Sequence, residues 1–250
     1  MTHQQSALLY VELAAASNFS FLRGASHGEE MVLQAKKLGL TGLAIADRNS
    51  VAGVVRAHMA AKEAELPFAP GCRLVFTDAT PDILVWPKSR QGWGNLCELL
   101  TRGKRRAPKA ACYLQLDDLL DLGEQMIMAA VLPTQFSEKT GAFLPKLKAR
   151  FGGNVYLALS RSYGAHDGRR LKRLSRMADA CKLPLLAIGD VLYHARDRRP
   201  LQDVLSCIRE GRTLATIGKA LEPNAERHLK SGAEMTQLFK GYVFHPGRSH

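Results

Sequence analysis

Three apolar runs in this chain end on side chains that could do chemistry. "LAIA" is followed by Asp47, Arg48 and Asn49; "GCRLVF" carries Arg73; and "LLAIG" leads to Asp190, with Leu192, Tyr193 and His194 close behind. Carboxylates placed this way could bind a cation or move a proton, and guanidinium groups could hold an anion. A plain structural role is open for each as well. Asp47 or Asn49 could cap a helix, Asp190 could close a turn after Gly189, and Arg73 could simply be solvated. Residues 10–24, "YVELAAASNFSFLRG", pose the opposite question. An apolar run ends in Ala14, Ala15 and Ala16, turns at Ser17 and Asn18, and reaches Gly24 past Phe19 and Phe21, like the mouth of a site that has lost its reactive groups.

The elements that would position these residues follow from hydrophobic period. A strand is expected near residues 8–13. A helix follows in "SHGEEMVLQAKKLG", with Ser26 and Glu29 spaced as a capping box and Gly39 as its stop. "GLAIAD" (42–47) reads as a strand, and "SVAGVVRAHMAAKEA" (50–64) as a helix with Val51, Val54, Val55, His58 and Ala61 along one stripe. Strands in "RLVF" and "DILVW" precede the helix "GWGNLCELLTRGKRR". "QMIMAAVL" then leads into "EKTGAFLPKLKARF", which Pro145 should divide in two. "NVYLALS", the helix "HDGRRLKRLSRMADACK", the strand "LPLLAIGD" and the helix "RPLQDVLSCIREG" complete the series.

Short apolar strands alternating with helices predict an α/β fold with a parallel sheet covered on its outside, either an open doubly wound sheet or a barrel. One uninterrupted series of this length favours the barrel, with functional groups at the carboxyl ends of its strands. No linker divides the series, so residues 1–240 are expected to form a single domain. "KGYVFHPGRSH" loses periodicity, and 241–250 are expected to be a loosely packed tail.

The chain has 250 residues, 46% hydrophobic and 23% charged, which suits a globular protein rather than a disordered one. No apolar run is long enough to span a membrane and the start lacks a secretory signal, so a cytoplasmic protein is expected. The five cysteines, Cys72, Cys97, Cys112, Cys181 and Cys207, are widely spaced with no C-x-x-C pair, and are expected to be reduced and mostly buried. A formal charge of +12 favours an anionic partner, nucleic acid first. The basic residues gather in "RGKRRAPK" (Arg102, Lys104, Arg105, Arg106, Lys109), on a helix face (Arg169, Arg170, Lys172, Arg173, Arg176) and in "ARDRR" (195–199), from Arg196 to Arg199. On that helix Leu171, Leu174, Met177, Ala178 and Cys181 make the buried stripe, which leaves the arginines in water. They could be a solvated face, touch phosphates, or dock on an acidic partner.

"SNFSFLRGASHGEEMVLQAKKLGLTGLAIADRNSVAGVVRAH", "GWGNLCELLT", "RRPLQDVLSCIREG" and "NAERHL" together resemble the N-terminal polymerase-and-histidinol-phosphatase (PHP) domain of bacterial C-family DNA polymerases, error-prone branch. The resemblance runs from residue 8 to 239 and implies a distorted (β/α)7 barrel. In metal-binding members of that family, an H-x-H motif, a ligand before a turn glycine, D-H, a glutamate, a histidine and D-x-H hold two or three divalent ions. Here the corresponding positions are Glu12 and Ala14; Arg23; Asp47 and Arg48; Arg73; Asp82; and Asp190 with Leu192. Alanine and leucine offer no lone pair and arginine stays protonated, so the resemblance implies a degenerate site without metal, catalytic residue or cofactor. Its arginines are expected to balance Asp47, Asp82 and Asp190, with His27 and His194 near the mouth.

The resemblance further implies a parent that performs damage-induced translesion synthesis, with Mg2+ held in a polymerase region not found in these residues. "LDDLLD" (116–121) reads as an amphipathic helix rather than a polymerase site. The broken helical pattern after "EMTQLF" fits a truncation, whether a boundary imposed on a longer sequence or a shortened gene product. Expected partners are DNA, reached through the parent polymerase, its C-terminal polymerase region, and other repair or replisome proteins, with no membrane. Two other readings stay open: a metal-dependent phosphoesterase or 3'-5' exonuclease, and a stand-alone basic module that binds DNA or repair proteins.

Overall fold

The structure is a computed structural model that describes residues 9–242. Leu8 and most of the expected tail, from 243 on, lie outside the described residues. Strands and helices alternate as β1 (Val11–Ala15), α1 (Gly28–Lys37), β2 (Gly42–Arg48), α2 (Val54–Glu63), β3 (Phe68–Leu74), β4 (Asp82–Pro87), α3 (Arg90–Arg105), α4 (Leu116–Leu122), β5 (Met126–Val131), α5 (Leu144–Phe151), β6 (Val155–Leu159), α6 (Asp167–Ala180) and β7 (Leu185–Ala187). Three helices follow: α7 (Arg199–Glu210), α8 (Leu214–Ile217) and α9 (Gly232–Leu238). The fold is α/β, and its seven strands are hydrogen-bonded in sequence order.

One strand departs from the parallel pattern. β4 runs antiparallel to both β3 and β5. The physical cause is the connection, because only residues 75–81 join β3 to β4, too few for the crossover that a parallel pair requires. β3 also lies upstream of the predicted "RLVF". Its residues Cys72, Arg73 and Leu74 face Val85, Leu84 and Ile83, and Pro70 and Gly71 had hidden the start of the strand from a pattern reading. Phe76 makes only an isolated bridge, to Leu114.

Two compact units divide the chain. The first comprises residues 9–45, 52–69 and 189–242. Its core joins Ala15, Met31, Val32, Ile45, Ala57 and Val191. α1 begins one residue later than the expected capping box: His27 is the N-cap, and its N–H donates to Glu30 at 2.8 Å. Ser26 is otherwise engaged, since its hydroxyl accepts the His194 N–H at 3.0 Å and lies 2.8 Å from the His194 ring. On α2 the buried residues are Val54, Ala57 and Ala61, whereas Val55 and His58 of the predicted stripe are exposed. Gly53 is its N-cap, so neither Asp47 nor Asn49 caps it.

The second unit comprises 46–51 and 70–188, with Leu84, Val85, Leu96, Leu99, Met128, Leu157 and Leu174 buried. Pro145 divides the helical stretch as expected, leaving a 3-10 turn at Lys139–Gly141 before α5. "LDDLLD" falls within α4. All five cysteines are free; Cys72 and Cys207 are buried and the other three partly exposed.

Candidate functional site

In the first unit, chemistry-bearing groups collect where β1 meets the turn after β7. Glu12 is buried and accepts hydrogen bonds from the Tyr10 hydroxyl at 2.7 Å, the Ala14 N–H at 2.8 Å and the Gly189 N–H at 2.8 Å. Burial raises the pKa of Glu12, the three donors oppose that rise, and Asp190 adds to it. Tyr10 is pushed well above its usual value by burial and by the neighbouring Glu12. Gly189 makes room for this arrangement, because a Cβ there would stand 2.3 Å from the Glu12 carboxylate and force it to shift. Asp190 takes a left-handed conformation with φ of 50°, uncommon outside glycine. Its carboxylate lies 2.8 Å from Arg227, which also donates from Nε to the Asp190 carbonyl at 2.8 Å and pairs with Glu222 at 2.8 Å.

Alternation of β1 puts Ala14 inside, and Ala14 is buried; Leu192 packs in a cluster with Ala16, Ala25 and Tyr193. Arg23 lies in the turn before Gly24, its N–H donating to Ser20 at 2.9 Å. His27 is exposed, while His194, bonded to Ser26, has its pKa lowered by burial.

In the second unit, Asp82 at the start of β4 receives two guanidinium groups, Arg73 at 3.3 Å and Arg48 at 3.8 Å. The β3–β4 hairpin register makes this meeting possible, since Arg73 pairs with Leu84, two residues along from Asp82. Asp47 is buried and its carbonyl accepts from the Cys72 thiol at 3.2 Å. Asn49, left-handed at φ 46°, clasps Val75 through its side-chain amide with bonds of 2.8 and 3.1 Å. It therefore joins two loops instead of capping a helix. Among the described residues, no group of three or more His, Cys, Asp or Glu side chains is placed to hold a metal ion.

The basic residues sort into two kinds. Arg102 pairs with Asp121 at 2.7 Å and with Glu98 at 3.4 Å, and Arg106 pairs with Asp118 at 2.6 Å. Arg170, expected in water, is only 9% exposed and instead ties Asp167 to the Ser160 carbonyl. Arg196 pairs with Glu226 at 2.9 Å, Arg198 with Glu30, and Arg199 with Asp203 at 2.6 Å. Lys104, Arg105, Lys109, Arg169, Lys172, Arg173 and Arg176 are exposed, with Arg173 lying over the Phe136 ring at 4.6 Å. In the α6 stripe, Leu171, Leu174 and Ala178 are buried and Met177 and Cys181 partly so.

Sequence reasoning missed Arg227 and Tyr10. Arg227 stands in "NAERHL", a loop without hydrophobic period, and no spacing rule ties it to Asp190, 37 residues earlier. Tyr10 read as part of an apolar run.

A family model, the PHP domain, matches residues 12–161. The error-prone DNA polymerase of Mesorhizobium japonicum is 48% identical over 235 residues, which is 92% of this chain and 21% of that protein. That of Caulobacter vibrioides is 47% identical over 231 residues, 92% of this chain and 21% of the relative. The chain thus spans about a fifth of the length of these relatives. Among solved structures it is similar to an amidohydrolase from Chromobacterium violaceum, with TM-score 0.57 and 14% identity over 75% of this chain and 89% of that one. It is also similar to a protein from Bifidobacterium adolescentis described as a candidate metal-dependent phosphoesterase, with TM-score 0.54 and 16% identity over 72% and 86%. At such identities the likeness is one of fold. A family model spanning more than half of its length places the chain: it belongs to the PHP domain family.

Proposed function

We propose that this chain serves as the PHP domain of an error-prone DNA polymerase engaged in translesion synthesis, and that it is a non-catalytic scaffold. The observation that carries the reading is the meeting of Arg48 and Arg73 at Asp82. Guanidinium charge fills a place where a divalent cluster would need anionic or imidazole donors, and arginine cannot coordinate a cation. Ala14 and Leu192 supply no donor atoms at two further positions. The residues present do not fit a metal cluster, and no hydrolytic step is derived through one. Relatives at 48% identity carrying the polymerase name support the parent activity; Mg2+ chemistry would belong to the polymerase region of such a parent.

The test measures bound metal by mass spectrometry after dialysis against zinc or manganese, together with manganese-dependent cleavage of a phosphodiester. The expected result is substoichiometric metal and no cleavage above that of the Asp190→Ala variant. Stoichiometric metal, or cleavage abolished by Asp190→Ala, would favour the phosphoesterase or exonuclease reading. A contact with the DNA backbone is a second role, supported by the exposed cations of α6 and of the end of α3.

A further inference from the structure

α6 carries a stripe of like charge that works against its own helix. Arg169, Lys172, Arg173 and Arg176 recur at the three- and four-residue spacing that lines side chains up along one side. All four are exposed, while Leu171, Leu174 and Ala178 of the same helix are buried. The carboxylate of the first turn, Asp167, is already taken by Arg161 at 3.4 Å and Arg170 at 3.5 Å. Asp179 is exposed beyond the far end of the stripe, and among the described residues no carboxylate forms a salt bridge with any of the four cations.

Like charges three or four residues apart repel along a helix, and here Arg169 and Arg176 each face both Lys172 and Arg173 in that way. Arg169 also stands in the first turn, where the helix dipole favours an anion. The stripe is therefore kept at a cost to the stability of α6. One of its members is positioned in advance, because the Arg173 guanidinium lies 4.6 Å over the ring of Phe136, which is itself buried.

A partner with a regular row of negative charge removes this repulsion. At about 1.5 Å per residue the stripe covers about 10 Å of helix axis, and a strand of duplex DNA passes a phosphate about every 3.4 Å of its own axis. About three phosphates thus come within reach of the four cations. α6 contains no aromatic residue on which an unpaired base could stack, and Phe136 is covered, so a duplex held by its backbone fits better than a single strand. A bilayer fits poorly, because the apolar residues of α6 are buried and leave nothing to insert. We propose that α6 lies along one phosphodiester strand of duplex DNA and grips it through Arg169, Lys172, Arg173 and Arg176 without reading its sequence, and that the repulsive stripe is retained for this contact. This inference deepens the DNA-contact role proposed above and rests on it.

The test pairs two measurements on the 250-residue chain: thermal melting without DNA, and binding of a fluorescent duplex at several salt concentrations. Arg169→Glu and Lys172→Glu each set an anion among the remaining cations, so each should raise Tm by about 1 °C or more. Each should at the same time weaken duplex binding by about fivefold or more and lower the slope of log K against log salt by about 0.9. Lys37→Glu makes the same change in net charge at an exposed position of α1, and should alter binding by less than about twofold. Two duplexes of unrelated sequence should bind alike, and more tightly than a single strand of the same length. Binding that survives both stripe substitutions, a fall in Tm in both, an equal loss with K37E, a preference for one sequence or tighter binding of the single strand overturns the proposal. A wild-type chain that binds no duplex overturns the DNA-contact role and this inference together, whereas binding that ignores the stripe overturns the inference alone. Failure of the scaffold reading has its own readout, manganese-dependent phosphodiester cleavage by the chain.

Discussion

At Glu12 the fold buries a carboxyl group and surrounds it with three donors, two of them backbone N–H groups. Removing the acceptor by Glu12→Ala would strand those donors, at a cost of about 3 kcal/mol. The pH dependence is the sharper prediction. Because burial raises its pKa, Glu12 contributes stability that is fully present below the unfolded value and lost as pH climbs through the folded one. Glu12→Gln removes that loss, so the variant should gain on the wild type as pH rises above the ordinary glutamate value of about 4.3 in urea unfolding curves. Parallel curves across that range would show that the carboxyl does not titrate there. Asp82 is a milder case, since it stays partly exposed and its two arginine contacts are long; exposed pairs contribute about 0 to 1 kcal/mol.

Among the elements, the turn between β1 and α1 tolerates little change at Gly24. A Cβ on Gly24 would stand 2.1 Å from the Ser17 carbonyl oxygen, whereas one on Gly94 in α3 meets nothing within 4 Å. Gly24→Ala should therefore lose about 2 kcal/mol or more, and Gly94→Ala should gain about 0.5 to 1 kcal/mol, read as opposite shifts in thermal midpoint. The order of strands and helices was legible in the sequence because each buries an apolar face whose period shows. The direction of β4 was not, since it depends on how much chain separates it from β3. Of the candidate site, the strand-end positions of Asp47, Arg73 and Asp190 were legible, but their partners were not. Arg227 reaches Asp190 from a polar loop, and Arg170, read as facing water, is drawn inward by Asp167.

For the whole molecule, the count of 35 Lys and Arg overstates what is available to a polyanion, because Arg102, Arg106, Arg170, Arg196, Arg198 and Arg199 are held by carboxylates of the chain itself, which the net charge of +12 already subtracts. If exposed cations touch DNA, replacing Lys172, Arg173 and Arg176 by alanine should reduce the slope of log K against log salt by about 0.9 for each phosphate that is no longer neutralised. Fluorescence anisotropy with duplex DNA at several salt concentrations measures it. An unchanged slope would remove α6 from the interface.

The first unit takes its last piece from residues 189–242, and the bond between Glu12 and Gly189 closes a span of 177 residues. During synthesis, Glu12 therefore has Tyr10 and Ala14 at hand from the start but lacks its Gly189 donor until residue 189 has been made. The second unit, drawn mainly from 70–188, has its described residues to hand at the same stage. Order of synthesis thus separates the first and the last hydrogen bond of one carboxyl group by most of the domain.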